Sequence, residues 1–393
     1  MSDITALLTG EEFVADPYPA YDTLRDQGRV LWVEEMRRWL ITGHQEALAV
    51  FSHEKVSSNR ALAEDSVPWP EGGIQPRGLP FTDPPDHTRL RRLVQHAFTV
   101  RRVEQQRRQV ADLVADLLAA VAGRDEFDLV ADVAGPLPAI VLARLLGIPP
   151  EDHETFRRWV TTVIETIDPV SLRLKSGEDA EDRISLEKYF EDIIEQRRRR
   201  PEDDLISALV EAEESDERLT AREILEMCVV LTMAGLEATT NLVANGMYAL
   251  LQHPDQLARL RAEPGLIKTA VEELLRYDAP VQLAGRVMMQ DIEIGGRLLR
   301  KGQTAGVVIG AVNRDPRAFA EPERLDLARD PNNHLGFGRG IHHCVGAPLA
   351  RLEAPIAITA LVTRFPGLRL AGPPKRGQNI HVRGFESLPL APG

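Results

Sequence analysis

Two cysteines, Cys228 and Cys344, are all that 393 residues contain. That excludes a disulfide framework and excludes a four-cysteine iron–sulfur cluster. Aromatic residues make up only 5% of the chain. Positive charge is also short, with 47 Lys and Arg against 60 Asp and Glu, a formal net charge of −13. General nucleic-acid binding needs a basic face and is excluded, although a local basic patch for an acidic partner is not. The opening "MSDITALLTGEEFVADPYPAYD" has no apolar run and no basic segment, so a cytoplasmic chain without signal peptide or membrane anchor is expected. No internal repeat and no long low-complexity linker divide it.

What the chain has is helical pattern. "HTRLRRLVQHAFTVRRVEQQRRQVADLVADLLAAVAG" reads as one or two helices, and "ADVAGPLPAIVLARLLGIP" as a largely buried one. "SLEKYFEDIIEQRRRRPEDD" is amphipathic, and its arginines at 197–200 read as a solvated helix end, where the macrodipole favours cations. The longest pattern opens with a capping box, Thr220 and Glu223, and stops at His253-Pro254. Its 33 residues, 220–252, would span roughly 50 Å, and its middle is apolar nearly all round, so it should cross the interior. β signals are few. "RVLWVEEMRRWLITG" reads as a hairpin, and "RVMMQDIEIGGRLLRKGQTAGVVIG" as strands with turns at Gly295-Gly296 and Lys301-Gly302. Residues 64–86, rich in Pro and Gly, read as a long loop that packs through Trp69 and Phe81.

Cys344 sits in "HLGFGRGIHHCVGAPLAR". Structural zinc wants paired Cys/His spacings, and His342, His343 and Cys344 have no second pair. A redox thiol wants a partner cysteine, and none is near. A buried structural cysteine is the plain alternative. The whole pattern, Phe337-Gly338-x-Gly340-x-His342-x-Cys344-x-Gly346, fixes six residues in ten positions. It resembles the haem-binding loop of the cytochromes P450. The chemistry suits these residue types. A thiolate pushes electron density into the iron and favours O–O cleavage. It needs backbone N–H partners, which glycines and a following helix N-terminus provide.

Other stretches match the same family. ExxR occurs several times, but Glu273–Arg276 in "EELLRYDAPVQ" has the family's position. By resemblance the pair is structural and is joined by Arg324 of "FAEPERLD", with "NRDP" at 313–316 between them. The resemblance implies that His87 and Arg91, at i and i+4 on one helix face, Arg286 on a strand and His342 in the cysteine loop meet the haem propionates. His334 is a weaker fifth that packs. Small residues Ala234 and Gly235 would let haem and oxygen approach the long helix, and Glu237 would relay protons. The resemblance covers nearly the whole chain. It implies one domain over residues 1–393 with the mainly α P450 fold, a helical prism with a smaller β-rich region. Haem b would lie between the long central helix and the cysteine-loop helix, with the Cys344 thiolate as axial metal ligand. The activity implied is that of a soluble bacterial monooxygenase of secondary metabolism without fused reductase.

The chain departs from the family at one place. In "AGLEATTN" the position after the acid is usually threonine, whose hydroxyl serves proton delivery, and here it is Ala238. Thr239 is turned about 100° away along the helix, and Asn241 is roughly a turn further on. Three readings follow: a substrate that supplies the missing hydroxyl or water, peroxide-driven or coupling chemistry, or poor coupling. A haem-binding sensor without turnover is the rival of another class, and the intact Glu237 weighs against it. With no flavin or cluster segment, electrons are expected from a separate ferredoxin and its reductase, docking near Arg89, Arg92, Arg339 and Arg351. By resemblance the substrate pocket draws on residues 64–81, 168–175, Val229, Met233, residues 281–284 and 385–387, with Gln282 and Glu386 as polar handles. Such a pocket suits a bulky organic molecule, and macrolide, terpene, aromatic and peptide-derived substrates all fit.

Overall fold

The structure is a computed structural model that describes residues 3–66, 78–95, 97–166, 180–214 and 219–393. Trp69 and the expected pocket residues 168–175 lie outside these.

The long helix is Ala221–Gln252, and Thr220 caps it as its sequence specifies. The Thr220 hydroxyl accepts from the Glu223 N–H at 3.2 Å, and the Glu223 carboxylate accepts from the Thr220 N–H at 2.8 Å. Two of the helix's orphan donors are thereby satisfied. Length and apolar composition would let this helix cross a membrane, but here it is the core. Its first half, from Ile224 to Leu236, packs with helices Asp86–Gln95, Pro136–Leu146 and Ala180–Arg199. Its second half, from Leu242 to Leu250, packs with Arg107–Val121, Ile267–Tyr277 and Ala347–Arg364. Leu349, on the first turn of Ala347–Arg364, touches both clusters and so ties the cysteine loop to the long helix. Where the two helices cross, a side chain at Gly246 would press on Leu274 Cδ1 at 2.9 Å and Ile358 Cδ1 at 3.4 Å.

The β region forms beside this bundle. The hairpin Val30–Val33/Arg38–Ile41 is present, and its second strand pairs in parallel with Thr304–Val308. That strand pairs antiparallel with Leu283–Met288, and Val56–Ser57 closes the five-stranded sheet. The turn at Gly295-Gly296 has φ of 56° and 73°, the left-handed pair a two-residue hairpin turn requires.

Two helical expectations need correction. Residues 87–123 form three helices, Asp86–Gln95, Val100–Gln105 and Arg107–Val121, rather than one or two. The break comes where the Thr99 hydroxyl caps a new start by accepting from the Arg102 N–H. The arginine run is not uniformly solvated either. Arg197 is 7% exposed, donates to Asp204, and reaches the Gly147 carbonyl at 2.7 Å. Gly147, at φ 76°, ends Pro136–Leu146 in the left-handed conformation, and a side chain there would strike the Asp204 carboxylate. The guanidinium therefore fastens two helix ends together instead of facing water.

Candidate active site

The loop that holds Cys344 is shaped by glycine. Gly338 and Gly340 have φ of 68° and 74°, and a side chain on Gly340 would lie 2.6 Å from the Phe51 carbonyl oxygen. The Cys344 N–H donates to the Phe337 carbonyl at 2.9 Å, closing the loop. Cys344 itself is exposed, unlike Cys228, which is buried in the long helix. Protein mass around the sulfur pushes the thiol pKa up, while the N–H groups of Gly346 and Ala347, with Arg91 and Arg351 beyond them, pull it down. Those donors favour a thiolate once a metal neutralises it. Phe337 is held by Arg351, whose guanidinium lies 4.5 Å from its ring centre. Arg351 in turn forks onto Glu272 at 2.7 and 2.8 Å, and His334 meets the same carboxylate at 2.9 Å. Burial raises the Glu272 pKa, but these two bases outweigh it and hold the carboxyl at about 2. His334 thus belongs to this brace.

The four bases expected around propionates do gather. The rings of His87 and His342 lie 4.4 Å apart, and Arg91 donates to the His343 carbonyl at 2.8 Å. Burial, then Arg286, His87 and Arg91, drives the His342 pKa down to about 3. Burial likewise lowers Arg286 to about 10, against the pull of Asp83. His87 is 2% exposed, and neither ring nitrogen makes a well-formed hydrogen bond among the described residues. A buried histidine with two orphaned nitrogens, beside arginines whose charge depresses the neighbouring imidazoles, fits an anionic group. The chemistry of haem and its propionates therefore suits the residues present: Cys344 for the iron, and His87, Arg91, Arg286 and His342 for the carboxylates.

The region that carries the loop is pinned from below. Glu273 and Arg276 are both fully buried, and the guanidinium forks onto the carboxylate at 2.7 and 2.8 Å. Arg276 also donates to the carbonyls of Asn313, Pro322 and Arg324. The third member is Arg329, whose Nε lies 3.1 Å from both Glu273 oxygens, and not Arg324. The Arg324 side chain turns out to Glu321 and contributes only its carbonyl. Sequence spacing could not separate them, because both arginines lie within one "P-E-R-L-D-L-A-R" run, residues 322–329.

On the long helix, Glu237 makes no hydrogen bond or ion pair among the described residues, and burial pushes its pKa up to about 7. Ala238 follows it, partly buried. Thr240 returns its hydroxyl to the Leu236 carbonyl at 2.9 Å. Asn241 presses on the backbone of Gly384, where a Cβ would sit 1.8 Å from its Oδ1, so neither replaces the missing threonine. Gly235 does not face the haem side as expected. The space opposite it is closed by Leu142 Cδ2 at 3.3 Å, so this glycine seats a neighbouring helix, and exposed Ala234 is the small residue left facing out. Both expected polar handles are engaged elsewhere: Gln282 between the Tyr21 hydroxyl and the Ala279 carbonyl, Glu386 with Lys375. In the expected docking patch, Arg89 is neutralised by Glu223 and Arg351 by Glu272, while Arg339 is exposed.

Fold and site together define a haem-thiolate enzyme, and the chain belongs to the cytochrome P450 family, whose model matches residues 29–375. It is similar to the cytochrome P450 monooxygenase PikC of Streptomyces venezuelae, 41% identical over 99% of this chain and 93% of that protein. It is 38% identical to the 6-deoxyerythronolide B hydroxylase of Saccharopolyspora erythraea over 98% of both. Among solved structures it superposes on P450BioI in complex with a hexadec-9Z-enoic acid ligated acyl carrier protein, with a TM-score of 0.88 and 36% identity, covering 97% of this chain and 100% of that one. The chain is a P450 monooxygenase with haem as cofactor, related to P450s of bacterial secondary metabolism.

Proposed function

We propose that this monooxygenase hydroxylates a bulky organic molecule of secondary metabolism, with the substrate completing the proton path that Ala238 leaves open. The observation that carries this is Glu237 followed by a residue without a hydroxyl: a carboxyl with pKa about 7 and no partner among the described residues. The site residues proposed are Cys344 as ligand, His87, Arg91, Arg286 and His342 for the propionates, Phe337 and Gly338 shaping the loop, Ala234 on the haem side, and Glu237 for protons.

Bound haem supplies dioxygen activation and the oxidising power for a C–H bond. Two electrons and two protons enter for each dioxygen; one oxygen atom enters the product and the other leaves as water. Glu237 holds a proton at a carboxyl oxygen at neutral pH and exchanges it with water. The methyl of Ala238 neither donates nor accepts, so a hydroxyl or an ordered water on the substrate must bridge from Glu237 inward. Arg351 and Phe337 keep the cysteine loop in place while Arg91 and Arg286 balance anionic charge. Electrons come from a ferredoxin and its reductase, meeting the exposed Arg339 side of the loop in the cytoplasm. One domain over residues 1–393 performs all of this.

The test is Ala238→Thr. A threonine hydroxyl supplied by the protein should change the fraction of reducing equivalents recovered as product at least severalfold, with haem content unchanged. Oxygen consumption and product yield both identical to wild type would remove any proton role from the position. Peroxide-driven oxidation or coupling is the second reading, favoured by the same alanine; incorporation of labelled dioxygen into the product separates it from hydroxylation.

A further inference from the structure

Among the described residues, several deeply placed guanidinium groups end on an acid. Arg276 meets Glu273, Arg383 meets Asp278 at 2.8 Å, and Arg197 meets Asp204. Arg60 does not. It stands in the 3-10 turn Arg60–Leu62, just after the strand Val56–Ser57, and makes no side-chain hydrogen bond or ion pair among the described residues. Its guanidinium lies 5.8 Å from the ring centre of Phe81 and over the strand at Gly285. A Cβ at Gly285 would meet Arg60 Nη2 at 3.6 Å, so the glycine leaves the face of the group open.

The surroundings add positive charge instead of balancing it. Burial draws the Arg60 pKa down to about 10, and Arg38 and Arg286 push it the same way. Withdrawing a cation from water beside two others is costly unless an anion completes the site. Alternation along the strand puts Arg286 on the face opposite the one Arg60 covers. The two propionates already have Arg91 and Arg286 as cations, with the neutral imidazoles of His87 and His342 beside them, so Arg60 is a third cation for two anions.

Its position is that of a pocket rim. Phe81 ends the long loop, and Gly78 of the same segment abuts Val230 Cγ2 of the long helix, with Leu79 packed among Met227 and Val229. On the other side, Gly285 follows residues 281–284, the strand expected to line the pocket. The loop therefore runs from the long helix at Gly78 to this unpaired guanidinium at Phe81, with the strand at Gly285 on its other side.

We propose that Arg60 is a carboxylate-binding residue at the rim of the substrate pocket, and that this enzyme takes an organic acid whose carboxylate it anchors. A guanidinium presents paired N–H donors that match a carboxylate fork. With the head fixed there, the apolar body of the acid extends between the loop and the long helix. This rests on the monooxygenase reading above and names its substrate class.

The experiment titrates the haem-loaded protein at pH 8 with hexadec-9Z-enoic acid and with its methyl ester, reading the Soret shift. Wild type should bind the acid about tenfold more tightly than the ester. Arg60→Gln should abolish that preference by weakening the acid alone, and Arg60→Lys should keep part of it. The same chemistry could be met by a haem propionate. In that case wild type shows no acid preference, and Arg60→Gln instead loses haem to apomyoglobin about tenfold faster; this outcome overturns the substrate assignment and gives the Arg60 carboxylate site to the haem. An acid preference undiminished in Arg60→Gln overturns the proposal. So does the absence of preference, or of any Soret shift, together with unchanged haem transfer. Failure of the monooxygenase reading shows separately, as loss of the thiolate signature in the carbon monoxide spectrum whatever the ligands do.

Discussion

Arg276→Ala should leave almost no haem-loaded protein, while Arg324→Ala should be nearly silent. The family motif groups the two arginines together, but the structure gives them opposite weights. Arg276 is fully buried, with two bonds to Glu273 and three to backbone carbonyls. Removing it leaves the Asn313 and Pro322 carbonyls without a donor and strips Glu273 of its principal counterion. Breaking a buried pair by deleting one partner costs about 3–5 kcal/mol, which is of the order of a whole domain's stability. Arg324 has 58% of its side chain exposed beside Glu321, a surface pair, and its loss should cost within about 0.5 kcal/mol. Arg329→Ala should fall between, because Asn332 and the Asp326 N–H still hold Glu273. Thermal unfolding and haem content of the three variants test this. Equal losses at 276 and 324 would contradict the assignment of Arg329 as the third member.

Glu237→Gln should slow turnover by about 10²-fold without disturbing haem or substrate binding, the range over which a placed acid or base acts. The pH dependence gives a second signature. The carboxyl is raised to about 7, so the neutral acid predominates below that pH and is lost as pH rises through it. Wild-type turnover should therefore fall through pH 7, and the residual activity of Glu237→Gln should be flat there. Stability falls in the same direction. A raised folded pKa means that the fold favours the protonated form; this contribution is full below the unfolded pKa near 4.5 and is lost as pH rises through 7. Glu237→Gln should then be more stable than wild type at pH 8, on the order of 1 kcal/mol. A variant that is both slower and less stable would place Glu237 in the scaffold. Stability given up for a poised acid is the usual trade at a working site.

Much of this is legible in the sequence itself. Local chemistry specified the Thr220 cap, the Gly295-Gly296 turn and the glycines around Cys344, because each is decided within a few residues. Motif resemblance placed His87, Arg91, Arg286 and His342 near one another, and the structure brings them together. What was not legible depends on partners distant in sequence. Arg197 turns from water to the Gly147 carbonyl, fifty residues upstream, and Glu273 selects Arg329 over Arg324 through the path of the intervening loop. Gly235 looked like room for haem and instead makes room for Leu142, ninety-three residues upstream. Arg60 carried no motif at all, and its meaning comes from the acid it lacks.

The central claim is that Cys344 binds haem iron as a thiolate. The carbon monoxide difference spectrum of the reduced protein, with Cys344→Ala alongside, tests it most directly. The expected result is the red-shifted Soret band that names the family in the wild type, and its loss in the variant. A band at the ordinary haem position in both proteins would contradict the account, because the loop built around that sulfur would then hold no ligand.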